Sequence, residues 1–289
     1  MPSIHRKPGL ANISPEWEEF VKQFPYPPLL GTPSEMRRGL DSLPKPPKPV
    51  GFSITDVSVP AYDGAAGQAR IYKPETPSTN GALLIYVHGG GWTLGNLDSE
   101  DAVCRTLCDA ARIVVVSLDY RKAPENPFPI GLEDVWEGIL WILRVPLVVH
   151  PTVQPAGVDF SSYEENAEAP ILPTKMVMQF LEWYNPVPDD VRMSPLLAKD
   201  FSGLPPAYLQ IAGADPLRDD GFDYMEKLEE AGVPVRVSVY PGLPHAFMSV
   251  PIETSLHYDS EETEMEKTSA IQTTCQQTVS RYRLTMVKN

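Results

Sequence analysis

The chain has 289 residues, 42% of them hydrophobic, which is enough to bury a full core at the upper end of single-domain size and argues against disorder over most of its length. With 24 Lys and Arg against 38 Asp and Glu, its formal charge is -14, a sign that repels phosphate backbones and anionic lipid and so excludes nucleic-acid and membrane-surface binding as first readings. No run approaches the roughly 20 apolar residues of a bilayer span, and the opening MPSIHRKPGLANISPEWEEF lacks the apolar core of a signal peptide, so the expectation is a cytoplasmic protein with no membrane partner.

Ser14, Pro15 and Glu16 have the form of an N-cap and first turn, and Trp17, Phe20, Val21 and Phe24 follow at helical spacing, which predicts a short amphipathic helix. Proline is the compositional oddity, 32 residues in all, and eight of them between Pro25 and Pro49 predict an extended connector. Residues 1–50 are thus expected to form a cap helix and connector, and 51–289 the core. Ile54 to Val59 and Ala69 to Tyr72 are β-like runs around the turn-rich AYDGAAGQ, which predicts an antiparallel pair at a sheet edge. Ala82 to Val87 and Ile113 to Leu118 are continuous apolar strands flanking a helix over Ala102 to Ala111. Runs without alternation require burial on both faces, as in a parallel sheet covered by helices. A helix over Leu132 to Leu143, a short strand over Pro146 to Val149 and a cap helix over Leu172 to Tyr184 follow. Strand Tyr208 to Ile211, helix Gly221 to Ala231 and strand Val235 to Tyr240 continue the alternation, and the tail holds an acidic segment (Glu253 to Glu266) and a last helix near Ile271 to Arg283. The fold class is α/β. Cys104, Cys108 and Cys275 have neither disulfide nor zinc spacing and read as small core residues, so no metal or cofactor is expected.

His88-Gly89-Gly90-Gly91-Trp92 follows directly on the strand ending at Val87. Three glycines there let backbone N–H groups approach a carbonyl oxygen that is becoming an oxyanion, with no Cβ in the way. A tight strand-to-helix turn would call for glycine as well, but HGGG loops of this type form half of the oxyanion hole in lipases and esterases.

Five motifs in order then carry a resemblance: HGGGW at 88–92, DYRKAPENPFP at 119–129, SPLLA at 194–198, LPPAYLQIAGADPLRDDG at 204–221 and LPHAF at 243–247. From about Ile54 to Met248 the chain resembles the hormone-sensitive-lipase-like, or GDXG lipolytic, branch of the α/β-hydrolases. The resemblance implies a mostly parallel sheet with helices on both faces and a helical cap, a small-molecule ester as substrate, Asp215 as triad acid and His245 as triad histidine. It also makes His88, Gly89, Gly90 and Gly91 the oxyanion loop. Asp215 and His245 each follow a predicted strand at its carboxyl end, where open α/β sheets place their sites. Asn126 departs from the family, whose members commonly carry His there.

The family's nucleophile does not occur. A serine in a GDSAG elbow belongs between the helix ending near Leu143 and the strand near Val148, where this chain reads LEDVWEGILWILRVPLVVHP, and no G-x-S-x-G exists in the sequence. A strand, a strained turn and a helix are missing together, a unit of roughly 30 to 50 residues. Their loss takes away a central strand, the elbow helix and the second oxyanion donor, and leaves apolar strand edges uncovered. An omitted exon would leave this mark, as would a deletion. Ser99, Ser117, Thr93 and Cys104 stand near the oxyanion loop in sequence, but none sits on a strand-turn-helix elbow, and all four read as structural.

Two further readings stand beside the carboxylic-ester hydrolase. One is a non-catalytic homologue that keeps the pocket and binds a small molecule. The other uses His245 and Asp215 as a base for elimination or cyclisation. The aromatic faces with Trp17, Phe20, Phe180 and Trp183 either line a pocket or pack on each other.

Overall fold

The computed structural model describes residues 9–23, 30–42, 51–78, 82–143 and 161–247. The described residues fall into two units. One holds 30–42, 51–78, 82–143 and 183–185, and the other 9–23, 161–182 and 186–247.

The first unit is built on a four-stranded sheet of β1 (Phe52–Pro60), β2 (Ala66–Pro74), β3 (Leu83–Val87) and β4 (Val114–Leu118), in the order β1-β2-β4-β3. The antiparallel pair predicted around the AYDGAAGQ turn is β1 and β2, in register from Phe52 opposite Pro74 to Pro60 opposite Ala66. β2 also runs antiparallel to β4, and β3 pairs parallel with β4. Helix α3 (Asp101–Ala111) lays Cys104, Cys108 and Ala111 on one face of this sheet against Tyr72 and Val115. Helix α4 (Ile130–Leu143) takes the other face, with Gly138 so near Leu118 that an added Cβ would come within 3.0 Å of it. Alternation along β4 therefore sends Val115 to α3 and Leu118 to α4, and both are buried.

The connector predicted between Pro25 and Pro49 is not extended throughout. Pro33–Asp41 form helix α2, closed by a capping box in which Thr32 accepts from the Glu35 N–H at 3.3 Å and Glu35 accepts from the Thr32 N–H at 2.8 Å. The T-P-S-E run carries this signal, since proline is at home in a helix's first turn; overall proline content masks it.

The second unit holds α1 (Pro15–Gln23), α5 (Ser161–Glu165), all but the end of α6 (Thr174–Tyr184), α7 (Arg218–Glu230) and the parallel pair β5 (Ala207–Ala214) and β6 (Val235–Pro244). Ser14 caps α1 by accepting the Trp17 N–H at 3.2 Å, as its sequence predicts. Helix α7 packs Phe222, Met225 and Leu228 under the pair. The chain before α1 is laid against β6, with Ser14 N–H donating to Gly242 O and Gly242 N–H to Leu10 O. Gly242 has φ +71°, and a Cβ there would stand 2.2 Å from Asn12 O, so only glycine allows this approach. Trp17 is buried with Ala212, Leu243 and Phe247, and its ring lies 5.5 Å from Phe20, so this face of α1 is packing rather than pocket lining.

Among the described residues β1–β2 and β2–β4 pair antiparallel, and β3–β4 and β5–β6 pair parallel. The predicted strand over Pro146 to Val149, the acidic segment and the final helix lie outside the described residues. No described helix is long and apolar enough to cross a membrane, and no cluster of three potential metal ligands occurs among the described residues.

Candidate active site

Each unit carries one chemical group. In the first, β3 ends at Val87 and the chain turns through His88 and the three glycines. Gly90 adopts φ +124°, and a Cβ on it would stand 2.3 Å from Leu94 O, so no other residue fits. Thr93 and Leu94 both donate to Gly90 O, at 3.1 and 2.7 Å, which closes the turn. Among the described residues no acceptor takes the N–H of Gly89, Gly90 or Gly91.

His88 does not face outward. It is buried, with Nδ1 2.7 Å from Gly89 O and Nε2 3.1 Å from Asp119 Oδ1. Its ring stacks on Tyr120 at 4.5 Å, and the Tyr120 hydroxyl donates back to His88 O. Burial raises the Asp119 carboxyl, but the His88 bond and the Lys122 ammonium outweigh it and draw it down to about 2. Lys122 also donates to Tyr120 O and lies over the Tyr120 ring. Arg121 pairs with the buried Asp134 at 2.7 Å, and Asn126, at the family's His position, donates to Lys122 O. The DYRKAPE run thus braces the HGGG loop from behind. From α2, Arg37 donates to Thr93 O at 2.8 Å and holds Glu125 through two bonds of 2.9 Å. On the other side Trp92 stacks on Tyr184 at 4.6 Å, and Phe128 meets Tyr184 edge-on. No motif singles out Arg37, because its partners are main-chain oxygens and a residue 88 positions away.

In the second unit the sheet register brings Asp215 and His245 together. Ala214 pairs with Pro244 after a register shift that starts from Ala212 opposite Tyr240, so the next residue on each parallel strand emerges beside the other. His245 Nδ1 lies 2.8 Å from Asp215 Oδ2, and Asp215 Oδ1 accepts the Leu217 N–H at 2.9 Å. With Nδ1–H donating to the carboxylate, Nε2 is the nitrogen left to take a proton. Asn166 donates to Asp215 O at 3.1 Å and Ser162 to Pro216 O at 2.7 Å, tying α5 to the Asp215 loop. These braces have no motif and could not be read in advance.

The other hydroxyls and thiols near the HGGG loop in sequence are engaged or buried. Burial pushes the Cys104 thiol up to about 12, Ser117 and Thr93 are buried, and Ser99 accepts from Asn96 N–H while donating to Asn96 O. Ser194 of the SPLLA motif is buried and donates to Pro188 O at 3.0 Å.

A family model described as the alpha/beta hydrolase fold matches this chain in two segments, 84–146 and 142–249, which overlap at 142–146. Carboxylesterase NlhH of Mycobacterium tuberculosis is 32% identical over 286 aligned positions, covering 82% of this chain and 89% of its own. Since 82% of 289 residues is about 237, roughly 50 aligned positions hold residues of that relative and none of this chain. Ethyl acetate hydrolase of Pseudomonas putida is 30% identical over 241 positions, covering 68% of this chain and 76% of its own. Among solved structures, vibralactone cyclase superposes with a TM-score of 0.80 at 26% identity, over 94% of this chain and 97% of that one.

Proposed function

The chain belongs to the alpha/beta-hydrolase family, among its carboxylic-ester hydrolases, and we propose that its reaction is hydrolysis of small or medium apolar esters through a serine acyl-enzyme whose serine lies in the unit missing between Leu143 and Leu147. In this reading His245 Nε2 takes the proton of the serine as it attacks the ester carbonyl, then returns it to the leaving alcohol. Asp215 holds the imidazole in the tautomer that leaves Nε2 as acceptor and stabilises the imidazolium. The N–H groups of Gly89, Gly90 and Gly91 meet the oxyanion, with His88 serving as the brace of the loop rather than as a donor. Water then attacks the acyl-enzyme by the same route.

The observation that carries the reading is the 2.8 Å contact of His245 with Asp215 at the carboxyl ends of two parallel strands. The N–H groups of Gly89, Gly90 and Gly91, which meet no acceptor among the described residues, support it independently. The ester in the name of ethyl acetate hydrolase supports small acyl and alcohol groups. A second reading, cyclisation with the Asp215 and His245 pair as base, draws support from the likeness to vibralactone cyclase.

Sequencing the native transcript across the Leu143 to Leu147 junction tests the proposal. An insert carrying a G-D-S-A-G elbow, with fluorophosphonate labelling of the restored chain at that serine, is the expected result. A transcript without the insert, and a chain that leaves the fluorophosphonate probe unreacted, would overturn ester hydrolysis and favour a binding homologue.

A further inference from the structure

Helix α7 opens with three charged residues, and they live in different surroundings. Arg218 is paired with Asp219 at 2.9 Å and with Glu165 of α5 at 2.9 Å. Asp219 also accepts from the Ser161 hydroxyl and the Ser162 N–H. Asp220, the next residue, is 7% exposed, and neither carboxyl oxygen has a hydrogen-bond partner among the described residues. The Tyr163 hydroxyl of α5 is likewise buried without a partner among the described residues, and burial holds its proton more firmly.

A carboxylate placed in a dry site without donors loses far more solvation than a carboxylic acid does. Two carboxyl groups within each other's field in such a site do not both ionise, and the proton stays on the one with fewer donors. Asp215 has the Leu217 N–H and the His245 ring, whereas Asp220 has neither. We propose that Asp220 is a positioning residue for the Asp215 and His245 pair: a buried carboxylic acid that keeps its proton, so that the single negative charge behind the imidazole sits on Asp215. This rests on the reading of that pair as the reaction's acid and base.

The groups that act on Asp220 agree with this division. Burial and then the charge of Asp215 push its carboxyl up to about 8, against the pull of its own peptide N–H, with Asp223 and Asp219 of the same helix adding to the rise. From α5 the nearby group is the neutral phenol of Tyr163, and the short 3-10 turn Pro195–Leu197 packed on α7 has no titratable side chain. Ionisation of Asp220 in alkali would put a second negative charge beside Asp215 and make His245 more basic.

The test is a titration of the full chain with 13C at aspartate carboxyl carbons, the Asp220 signal assigned by its loss in Asp220→Asn, together with ring signals of His245. The expected result is an Asp220 carboxyl that titrates near pH 8 and a second inflection in the His245 signals at the same pH, absent from Asp220→Asn, while the first inflection remains. An Asp220 carboxyl titrating in the ordinary range near pH 4 overturns the inference. So does a second His245 inflection that survives Asp220→Asn. Asp215→Asn separates the two ideas. If it shifts the His245 titration while Asp220→Asn changes nothing, this inference alone falls; if it leaves His245 unmoved, the pairing on which the inference rests falls as well.

Discussion

Strands β3 and β4 are neighbours in one sheet, both five residues long and both apolar, LLIYV against VVVSL, yet their environments differ. Four of the five residues of β4 are buried, while every residue of β3 stays half-exposed. β4 has β2 on one side, β3 on the other, α3 on one face and α4 on the other. β3 has β4 as its strand partner among the described residues, and its Leu84 and Tyr86 reach the α3 cluster only as partly buried members. A strand with this composition is suited to the interior of a parallel sheet, so its half-exposure marks where the next strand and its covering helix belong. The family model matches in two segments that overlap at 142–146, where α4 ends.

The strongest way to break this comparison is to supply the missing neighbour. A chain carrying a strand, G-D-S-A-G elbow and helix between Leu143 and Leu147 is expected to protect the β3 amides in hydrogen exchange to the level of β4. It should also gain ester turnover by about a millionfold, the scale lost when a serine hydrolase loses its serine. Amides of β3 that still exchange fast in the restored chain would show that its edge is not the vacant seam. Next in size is a paired truncation followed by urea unfolding. Leu118→Ala in β4 should cost about 2 to 5 kcal/mol, whereas Leu83→Ala in β3 should cost less than about 1. Equal losses would erase the distinction between the strands.

The loop leaving β3 sharpens the comparison, because it is braced where its strand is not. Asp119 is held at about 2 in the folded chain against an ordinary value of 3.8, so its stabilisation is complete above pH 4 and disappears as pH falls through 2. Asp119→Asn should flatten that part of the stability profile and remove about 2 kcal/mol at neutral pH, read from thermal unfolding between pH 2 and 6. The smallest expected effect belongs to Thr32→Ala. It opens the α2 capping box for a loss of about 1 kcal/mol in denaturant titration, with the Arg37 contacts to the HGGG loop loosening in step.

Local signals with one cause were legible in the sequence. Ser14 before Pro15, the unbroken apolar strands and the glycine triplet each follow from a single rule of backbone or burial, and all appear in the structure. Asp215 and His245 could be named from motifs, but the register that joins them could not, because it depends on how many residues β6 uses between Tyr240 and Pro244. Asn166, Ser162 and Arg37 left no trace in pattern, since each bonds main-chain oxygens that any residue would offer. Helix α2 was hidden for a different reason: regional proline content outweighed a four-residue capping signal.

The uneven stretch of β6 has a consequence of its own. Between the pairs Ala212 with Tyr240 and Ala214 with Pro244, β6 spends twice as many steps as β5, so the alignment of Asp215 with His245 works like a vernier between two scales. Side chains alternate along a strand, and a change of one residue in that stretch turns the histidine to the opposite face. Losing Pro241 alone would therefore part Asp215 from His245 with both still in the sequence, and a homologue shortened there would keep both letters without their contact.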